Sequence, residues 1–446
     1  MANLFGTDGV RGIANTELTC ELAYRLGQAA VSFLGNTIVV GKDTRISGDM
    51  LESSVAAGIM SMGGSALLAS IIPTPAIALL TRELHADGGV VISASHNPPE
   101  YNGIKFFNGQ GCKLADAIEE NIEAFVVAGG AKQNSLPSGD AVGFVIPVEN
   151  ATEIYINAVV DSITAQKVTF KGMKIALDVG HGASTVSSKE ALCRLGAEVV
   201  VINDEFDGTD INVECGSTCL DPLRKLVSET GADIGIAHDG DADRVMMIDS
   251  QGGEIDGDMI EAVCAVDMKE RGVLNNNTVV STVMCNLGFV HTMQDAGINV
   301  VQTKVGDRYV LEAMVEGDYV LGGEQSGHVI MLEHNSTGDG LLVACQFLAA
   351  VQRSGKTVDE AISIMKRFPQ SLINVKNVDK EALADNKAVS ASITESEAFL
   401  GDQGRVLVRC SGTEPVIRVM VEAVSESDAQ KIAENIAHVI KAELSI

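Results

Sequence analysis

Tryptophan is absent from the 446 residues and aromatics make up only 4% of them, so the base-stacking platforms of single-strand nucleic-acid binders are not expected. Cations are scarce too: 32 Lys and Arg stand against 60 Asp and Glu, a formal charge of −28. Nucleic acid and anionic membrane both demand basic surface, and the balance disfavours either as a partner. No apolar run approaches the ~18 residues of a membrane span. The opening Met1-Ala2-Asn3-Leu4-Phe5 lacks the basic stretch and apolar core of a secretory signal. The nine cysteines form no CxxC pair. That odd, unpatterned count suits reduced thiols in a cytoplasmic protein better than a disulfide framework. What is present, 46% hydrophobic and 21% charged residues, suffices for several ordinary cores. At roughly 150 residues per domain the length suggests about three. An anionic small substrate is admissible only where the few arginines converge.

Three stretches repeat one arrangement: an apolar strand, a helix, a second strand, then a third strand ending in a polar loop. The first comprises Thr37–Gly41, a helix near Asp49–Met62, Ser65–Ile72 and Gly89–Ser95. The second has Lys174–Asp178, Glu198–Ile202 and Asp233–His238, and the third Val279–Met284, Ile298–Gln302 and Tyr319–Gly322. Strands alternating with helices argue for βαβ units. Asn150 with Glu153 has the pattern of a capping box ahead of Ile156, Val159 and Ile163. Ser427 with Gln430 has it ahead of Ile432, Ile436 and Ile440. Met50, Ile59, Met60 and Met62 read as core. Punctuation at 129–139, Gly252-Gly253 and Phe368-Pro369 divides the chain into 1–150, 151–252, 253–368 and 369–446. The last segment carries strands near 405–409 and 417–423. The expected fold is α/β: three related mixed α/β domains plus a smaller C-terminal α+β domain.

Four loops after strands carry the chemistry, where open α/β sheets bind ligands. In Ile92-Ser93-Ala94-Ser95-His96-Asn97-Pro98, a serine at a strand tip can serve as nucleophile or phosphoryl carrier. The bland alternative is a Ser/Asn/Pro turn. A hydrolase elbow, G-x-S-x-G, is missing around Ser95. In Asp239-Gly240-Asp241-Ala242-Asp243-Arg244, alternate carboxylates on a tight loop converge on one hard cation and suit Mg²⁺. An EF-hand fails the count, because position 6 is Arg244 and position 12 is Ser250; a solvated acidic turn is the other reading. In Gly322-Gly323-Glu324-Gln325-Ser326-Gly327-His328, Glu324 and Ser326 can bond sugar hydroxyls and His328 can bond one or move a proton. Gly-rich polar turns are common without such a role. In Arg409-Cys410-Ser411-Gly412-Thr413-Glu414-Pro415, with Arg418 following, two arginines, two hydroxyls and a Gly-containing turn can form a phosphate cradle; the bland alternative is a strand-connecting turn with surface arginines.

The ordered set Ser93–Pro98, Asp239–Arg244, Gly323–His328 and Arg409–Pro415 resembles the four signature loops of the α-D-phosphohexomutase family. Phe5–Gly12, Gly41–Arg45 and Asn102–Lys105 look like family segments as well, so the similarity spans residue 5 to about 424. The resemblance implies four domains around a central active-site cleft, each giving one loop. It implies Ser95 as phosphoserine and Asp239, Asp241 and Asp243 holding Mg²⁺ together with an oxygen on Ser95. Arg11 and Lys105 would flank the reacting groups. Glu324, Ser326 and His328 would read the sugar, and Arg409, Ser411, Gly412, Thr413 and Arg418 would hold the phosphate that is not transferred. Lys105 and His328 both stand as general acid/base.

The implied reaction is a mutase cycle: phospho-Ser95 converts a hexosamine 6-phosphate to a 1,6-bisphosphate and recovers the phosphate from position 6. A hexose 1,6-bisphosphate or a kinase would first phosphorylate Ser95. The Gly-Glu-Gln-Ser-Gly-His and Ser-Gly-Thr-Glu-Pro forms resemble the glucosamine branch; glucose- and mannose-specific relatives usually vary at Gln325 and Gly412. His181 and Pro99-Glu100-Tyr101 depart from the common pattern outside the signature loops. The competing readings are a glucose or mannose phosphomutase, a phosphatase, and a phosphosugar-binding sensor without turnover. The partner is a small phosphosugar; a homodimer is compatible with all of this.

Overall fold

The computed structural model describes residues 4–6, 8–410 and 416–446. The chain divides into two compact units, Met1–Met284 with Gly297–Ile364, and Cys285–Ala296 with Met365–Ile446. The first unit carries three sheets. The first sheet contains β1 (Val10–Ile13), β2 (Thr37–Lys42), β3 (Ser65–Ile71), β4 (Gly88–Ile92), β5 (Tyr101–Asn108) and β6 (Val145–Pro147) in the order β1-β5-β4-β2-β3-β6. The second contains β7 (Lys174–Asp178), β8 (Glu198–Ile202), β9 (Ile234–His238), β10 (Val245–Asp249) and β11 (Glu254–Ile255) in the order β11-β10-β9-β7-β8. The third contains β12 (Thr278–Thr282), β13 (Asn299–Thr303), β14 (Leu321–Gly323) and β15 (Val329–Met331) in the order β13-β12-β14-β15.

One pattern recurs in all three. The first strand of each set pairs in parallel with the second on one side and the third on the other, as β2 does with β3 and β4, β7 with β8 and β9, and β12 with β13 and β14. A fourth strand then turns back antiparallel on the third: β5 on β4, β10 on β9, β15 on β14. The repeated strand order read from the sequence is therefore present, and the three loops of interest occupy one equivalent place, the reversal after the third strand. β2, β4 and β9 are buried almost throughout because their β-branched and small residues meet apolar surface on both sides. The helix Gly48–Ser61 packs Leu51, Val55 and Ile59 into the core over the first sheet, with Met50 at its margin.

The second unit is built on β16 (Gln370–Lys376), β17 (Gly404–Cys410) and β18 (Val416–Ala423), an antiparallel sheet of order β16-β18-β17. The helix Glu426–Leu444 lays Ala429, Ala433, Ile436, Ile440 and Leu444 against it, the i, i+4, i+7 spacing of an amphipathic helix.

Both expected capping boxes are corrected. The helix Ala151–Thr164 does begin after Asn150, but Asn150 (φ −103°, ψ 18°) makes no side-chain cap, since its backbone is not in the extended geometry that aims a cap at the N2 and N3 amides. The last helix begins two residues before the expected start: Ser425, in extended geometry, accepts from Asp428 N, and Ser427 lies inside the helix. Among the described residues no disulfide joins any of the nine cysteines. Among the described residues no helix is long and apolar enough to cross a membrane.

Candidate active site

Strand β4 ends at Ile92, and the chain then turns through Ser95 with φ 51°, a left-handed conformation uncommon for a residue with a Cβ. The surroundings hold it there. Ser95 N donates to Ser93 Oγ (2.9 Å), and Ser93 Oγ donates to Asp43 Oδ2 (2.6 Å). Ser95 O accepts from Arg45 Nη2 and from Asn212 Nδ2, both at 2.9 Å. The buried Arg45 also donates to Asp43 Oδ2 through Nε (2.9 Å), to the carbonyls of Pro98 (2.5 Å) and Tyr101 (3.0 Å) through Nη1, and to Asn97 O (2.8 Å) through Nη2. All five guanidinium N–H groups are thus engaged, four on the Ser95–Tyr101 stretch and one on Asp43. The hydroxyl of Ser95 faces the second sheet, donating to Asp239 Oδ2 at 2.6 Å and lying 3.2 Å from His96 Nδ1. Burial, then the charges of Arg244 and Arg11, lower His96 to about 4, so its imidazole is neutral near pH 7.

Strand β9 ends at His238 and delivers Asp239, Asp241 and Asp243, all buried, with one oxygen from each within 4.8 Å of the others. Burial, together with Asp243 and Asp241, drives the Asp239 carboxyl well above the usual range. Burial also opposes ionisation of Asp243, but Lys105, His328 and Arg244 outweigh it and hold that carboxyl well below the usual range. Asp241 Oδ2 accepts from Thr74 Oγ1 (2.6 Å) and Lys105 Nζ (2.8 Å). Asp241 Oδ1 and Asp243 Oδ1 are buried and lack a hydrogen-bond partner among the described residues. Orphaned carboxylate oxygens, three acids within a few ångströms and the absence of soft ligands together fit a hard divalent cation.

Lys105, from β5, is nearly fully buried and reaches Asp8 Oδ2 and Asp241 Oδ2 at 2.8 Å and Asp243 Oδ2 at 3.6 Å. Burial works against its charge, yet Asp241, Asp8 and Asp243 raise its pKa above that of a free lysine. Asp8 also takes Arg11 Nη2 (2.7 Å) and Lys113 Nζ (2.5 Å). Lys113 contacts Asp307 as well.

The third loop is a tight reversal between β14 and β15, closed by Glu324 N to His328 O and Gly327 N to Glu324 O, both 3.0 Å. Gly327 has φ +89°, and a Cβ there would stand 2.2 Å from Val245 O. The reversal seats on the start of the helix Gly257–Glu270: Gly257 N donates to Gln325 O (3.0 Å) and Gln325 Nε2 to Asp256 Oδ2 (3.3 Å). Glu324 Oε1 accepts from Gly306 N at 3.1 Å. Ser326 is exposed. Gly338 N donates to His328 Nε2 (3.1 Å), and His328 Nδ1 lies 3.7 Å from Asp243 Oδ2.

In the second unit, Arg409 and Arg418 are directly opposed across β17 and β18. Burial first, then Arg418, depresses Arg409, and Arg418 Nε is buried without a hydrogen-bond partner among the described residues. Two guanidiniums placed side by side suit an oxyanion. The expected Ser411, Gly412 and Thr413 lie outside the described residues.

Of the expected residues, the structure brings Ser95, Asp239, Asp241, Asp243, Lys105 and His328 together, with Arg11 joined through Asp8 and Glu324 through the His328 loop. Sequence reasoning missed Thr74, Lys113, Asn212 and Asp307. Asp8, Asp43 and Arg45 stood inside the family-like segments and gave a signal, whereas Thr74 and Asn212 are single polar residues without a local pattern. His181, with φ 52°, occupies a left-handed position of the kind asparagine also favours.

Sequence models of the phosphoglucomutase/phosphomannomutase family match the chain four times: alpha/beta/alpha domain I at residues 2–132, domain II at 153–253, domain III at 256–368 and the C-terminal domain at 372–439. The chain belongs to the phosphoglucomutase/phosphomannomutase family. Within it, the chain is 49% identical over 452 residues to a phosphoglucosamine mutase of Acetivibrio thermocellus, and 50% identical over 453 residues to one of Ruminiclostridium cellulolyticum, with 100% of both partners covered in each case. Among solved structures it is similar to a phosphoglucomutase/phosphomannomutase family protein of Burkholderia thailandensis (TM-score 0.82, 21% identity, 99% of each chain covered). It is also similar to an Aspergillus fumigatus N-acetylphosphoglucosamine mutase crystallised with GlcNAc-6P and magnesium (TM-score 0.71, 17% identity, 98% of this chain and 95% of that one). At those identities the structures speak for the shared four-domain fold alone.

Proposed function

We infer that this enzyme is an isomerase, an intramolecular phosphotransferase that interconverts glucosamine 6-phosphate and glucosamine 1-phosphate. Full-length relatives near 50% identity support the substrate. The observation that carries the chemistry is the Ser95 hydroxyl, 2.6 Å from Asp239 Oδ2 at the edge of a buried three-aspartate cluster. In this reading Ser95 is the phosphoryl carrier. The P–O bond to Ser95 breaks as one forms to O1 of glucosamine 6-phosphate, giving the 1,6-bisphosphate. The bisphosphate then presents its 6-phosphate, that P–O bond breaks, and Ser95 is phosphorylated again while glucosamine 1-phosphate leaves. A hexose 1,6-bisphosphate primes the first cycle.

The chain's residues have distinct parts in this proposal. Arg45 and Asn212 hold the Ser95 carbonyl and so fix the direction of Oγ. Lys105, held by three carboxylates, places a positive charge beside the transferred group, and it and His328 are the two candidates for general acid/base. Arg11 adds a second. Glu324, Ser326 and His328 receive the sugar, and Arg409 and Arg418 bind the spectator phosphate as a guanidinium pair. Asp239, Asp241 and Asp243 would hold Mg²⁺, which when bound supplies Lewis-acid neutralisation of the phosphoryl oxygens. The acidic composition and an odd number of cysteines without a disulfide pattern support a cytoplasmic location.

The test is a Mg²⁺-dependent assay of glucosamine, glucose and mannose 6-phosphates, each primed with glucose 1,6-bisphosphate. Preference for glucosamine 6-phosphate, abolished by chelation and restored by Mg²⁺, is expected. Preference for glucose or mannose would overturn the substrate, and turnover unaffected by chelation would overturn the metal.

A further inference from the structure

Glucosamine 6-phosphate differs from glucose 6-phosphate only at C2, where an amine, largely protonated near neutral pH, replaces a hydroxyl. A site that prefers it needs a carboxylate with unspent charge beside the sugar-reading loop. Asp239, Asp241 and Asp243 are committed to the cation. Asp8 is ringed by Arg11, Lys105 and Lys113. Asp307 is different. It opens the helix Asp307–Gly317, directly after Gly306, whose amide donates to Glu324 Oε1. Its Oδ2 lies 3.6 Å from His328 Nε2, so it flanks the third loop at both of that loop's sugar-facing ends. Among the described residues its Oδ1 accepts from the amide of Arg308 (2.8 Å) and its ammonium partner is Lys113, which also contacts Asp8. Asp307 thus has one ammonium contact, with His328 beside it, where Asp8 has three cationic ones, and the Asp307 side chain keeps 15% of its surface open to solvent.

We propose that Asp307 is the specificity-determining residue that receives the 2-ammonium group of the substrate. The inference rests on the glucosamine reading above and names the residue that enforces it. A charge-assisted hydrogen bond lost from one substrate and not the other is worth about 10- to 100-fold in selectivity, and a site built to bond an N–H group discriminates strongly against the analogue lacking it.

The experiment measures kcat/KM for glucosamine 6-phosphate and glucose 6-phosphate, both primed with glucose 1,6-bisphosphate, in the wild type, Asp307→Asn and Glu324→Gln. The ratio of the two values cancels damage common to both substrates, including any disturbance of Lys113 or His328. Asp307→Asn is expected to lower the glucosamine-to-glucose ratio at least tenfold, while Glu324→Gln lowers both values together. A second readout needs no variant: in the wild type, KM for glucosamine 6-phosphate rises relative to that for glucose 6-phosphate as pH passes the titration of the substrate amine. An unchanged ratio in Asp307→Asn, a collapse in Glu324→Gln instead, or a pH-independent KM ratio overturns the proposal. A wild type that shows no preference for the amino sugar overturns the underlying reading instead, so the two failures are distinguishable.

Discussion

Arg45→Lys keeps the charge and removes the geometry. The guanidinium makes five hydrogen bonds, to Asp43 Oδ2 and to the carbonyls of Ser95, Asn97, Pro98 and Tyr101. An ammonium has three donors, so at least two of those five hydrogen bonds are lost. Arg45 and Asp43 are both fully buried, and water cannot make up the loss. At about 1.5–3 kcal/mol for each hydrogen bond to a charged group, the variant loses about 3–6 kcal/mol, a large share of a typical ~5–15 kcal/mol total. Scanning calorimetry should show the first transition lowered by at least about 6 °C, taking ~2 °C per kcal/mol for a large domain. The released carbonyls are those that hold Ser95 at φ 51°. A displacement of ~1 Å at a reacting group costs on the order of a hundredfold in rate, so kcat should fall by about that factor in enzyme that remains folded. A melting point within 2 °C of wild type with an undiminished kcat would refute the assignment of Arg45 as the clamp of the serine loop.

Asp241→Asn removes one carboxylate from the cluster, and Mg²⁺ affinity should fall on the order of a hundredfold, the scale of one charge contact at intermediate dielectric. Titration calorimetry with Mg²⁺ reads this without reference to turnover, and unchanged affinity would remove Asp241 from the ligand set. Glu261 is fully buried in the helix Gly257–Glu270 with both oxygens unpartnered among the described residues. Burial, with Asp258 adding to it, holds its carboxyl protonated well above 4.5. The folded state therefore keeps a proton that the unfolded chain releases above that pH. Stability falls as pH rises from there toward the folded pKa, by up to about 1.4 kcal/mol per unit. Glu261→Met should melt higher than wild type, with a gap that widens from pH 5 to pH 8 across that window; a constant gap or a lower melting point would contradict this account of Glu261.

The site was legible where its signal is local. Asp239, Asp241 and Asp243 fall at alternate positions of one six-residue loop, and Ser95 and Glu324 each follow a short apolar strand. The repeated strand order could be read because β2, β7 and β12 are short, largely buried segments centred on Val, Ile, Ala and Leu. What stayed hidden is what distant chain supplies. Thr74 meets Asp241 across 167 positions and Asn212 meets Ser95 across 117, with no pattern to mark either. Asp307 is an ordinary first-turn acid in the sequence, favourable there toward the helix dipole, and only its approach to His328 and Lys113 distinguishes it. The capping errors have the same origin. Ser425 and Ser427 both offer a hydroxyl ahead of an apolar-periodic helix, and backbone geometry, extended at Ser425, decides between them.

The central claim is that Ser95 carries the phosphoryl group. Incubation with glucose 1,6-bisphosphate and Mg²⁺, followed by intact-mass and peptide analysis, tests it most directly. One added phosphoryl group located on Ser95, discharged within a single turnover on addition of glucosamine 6-phosphate as the 1,6-bisphosphate appears, is the result predicted. A phosphate on another residue, or one on Ser95 that persists while substrate turns over, would contradict it.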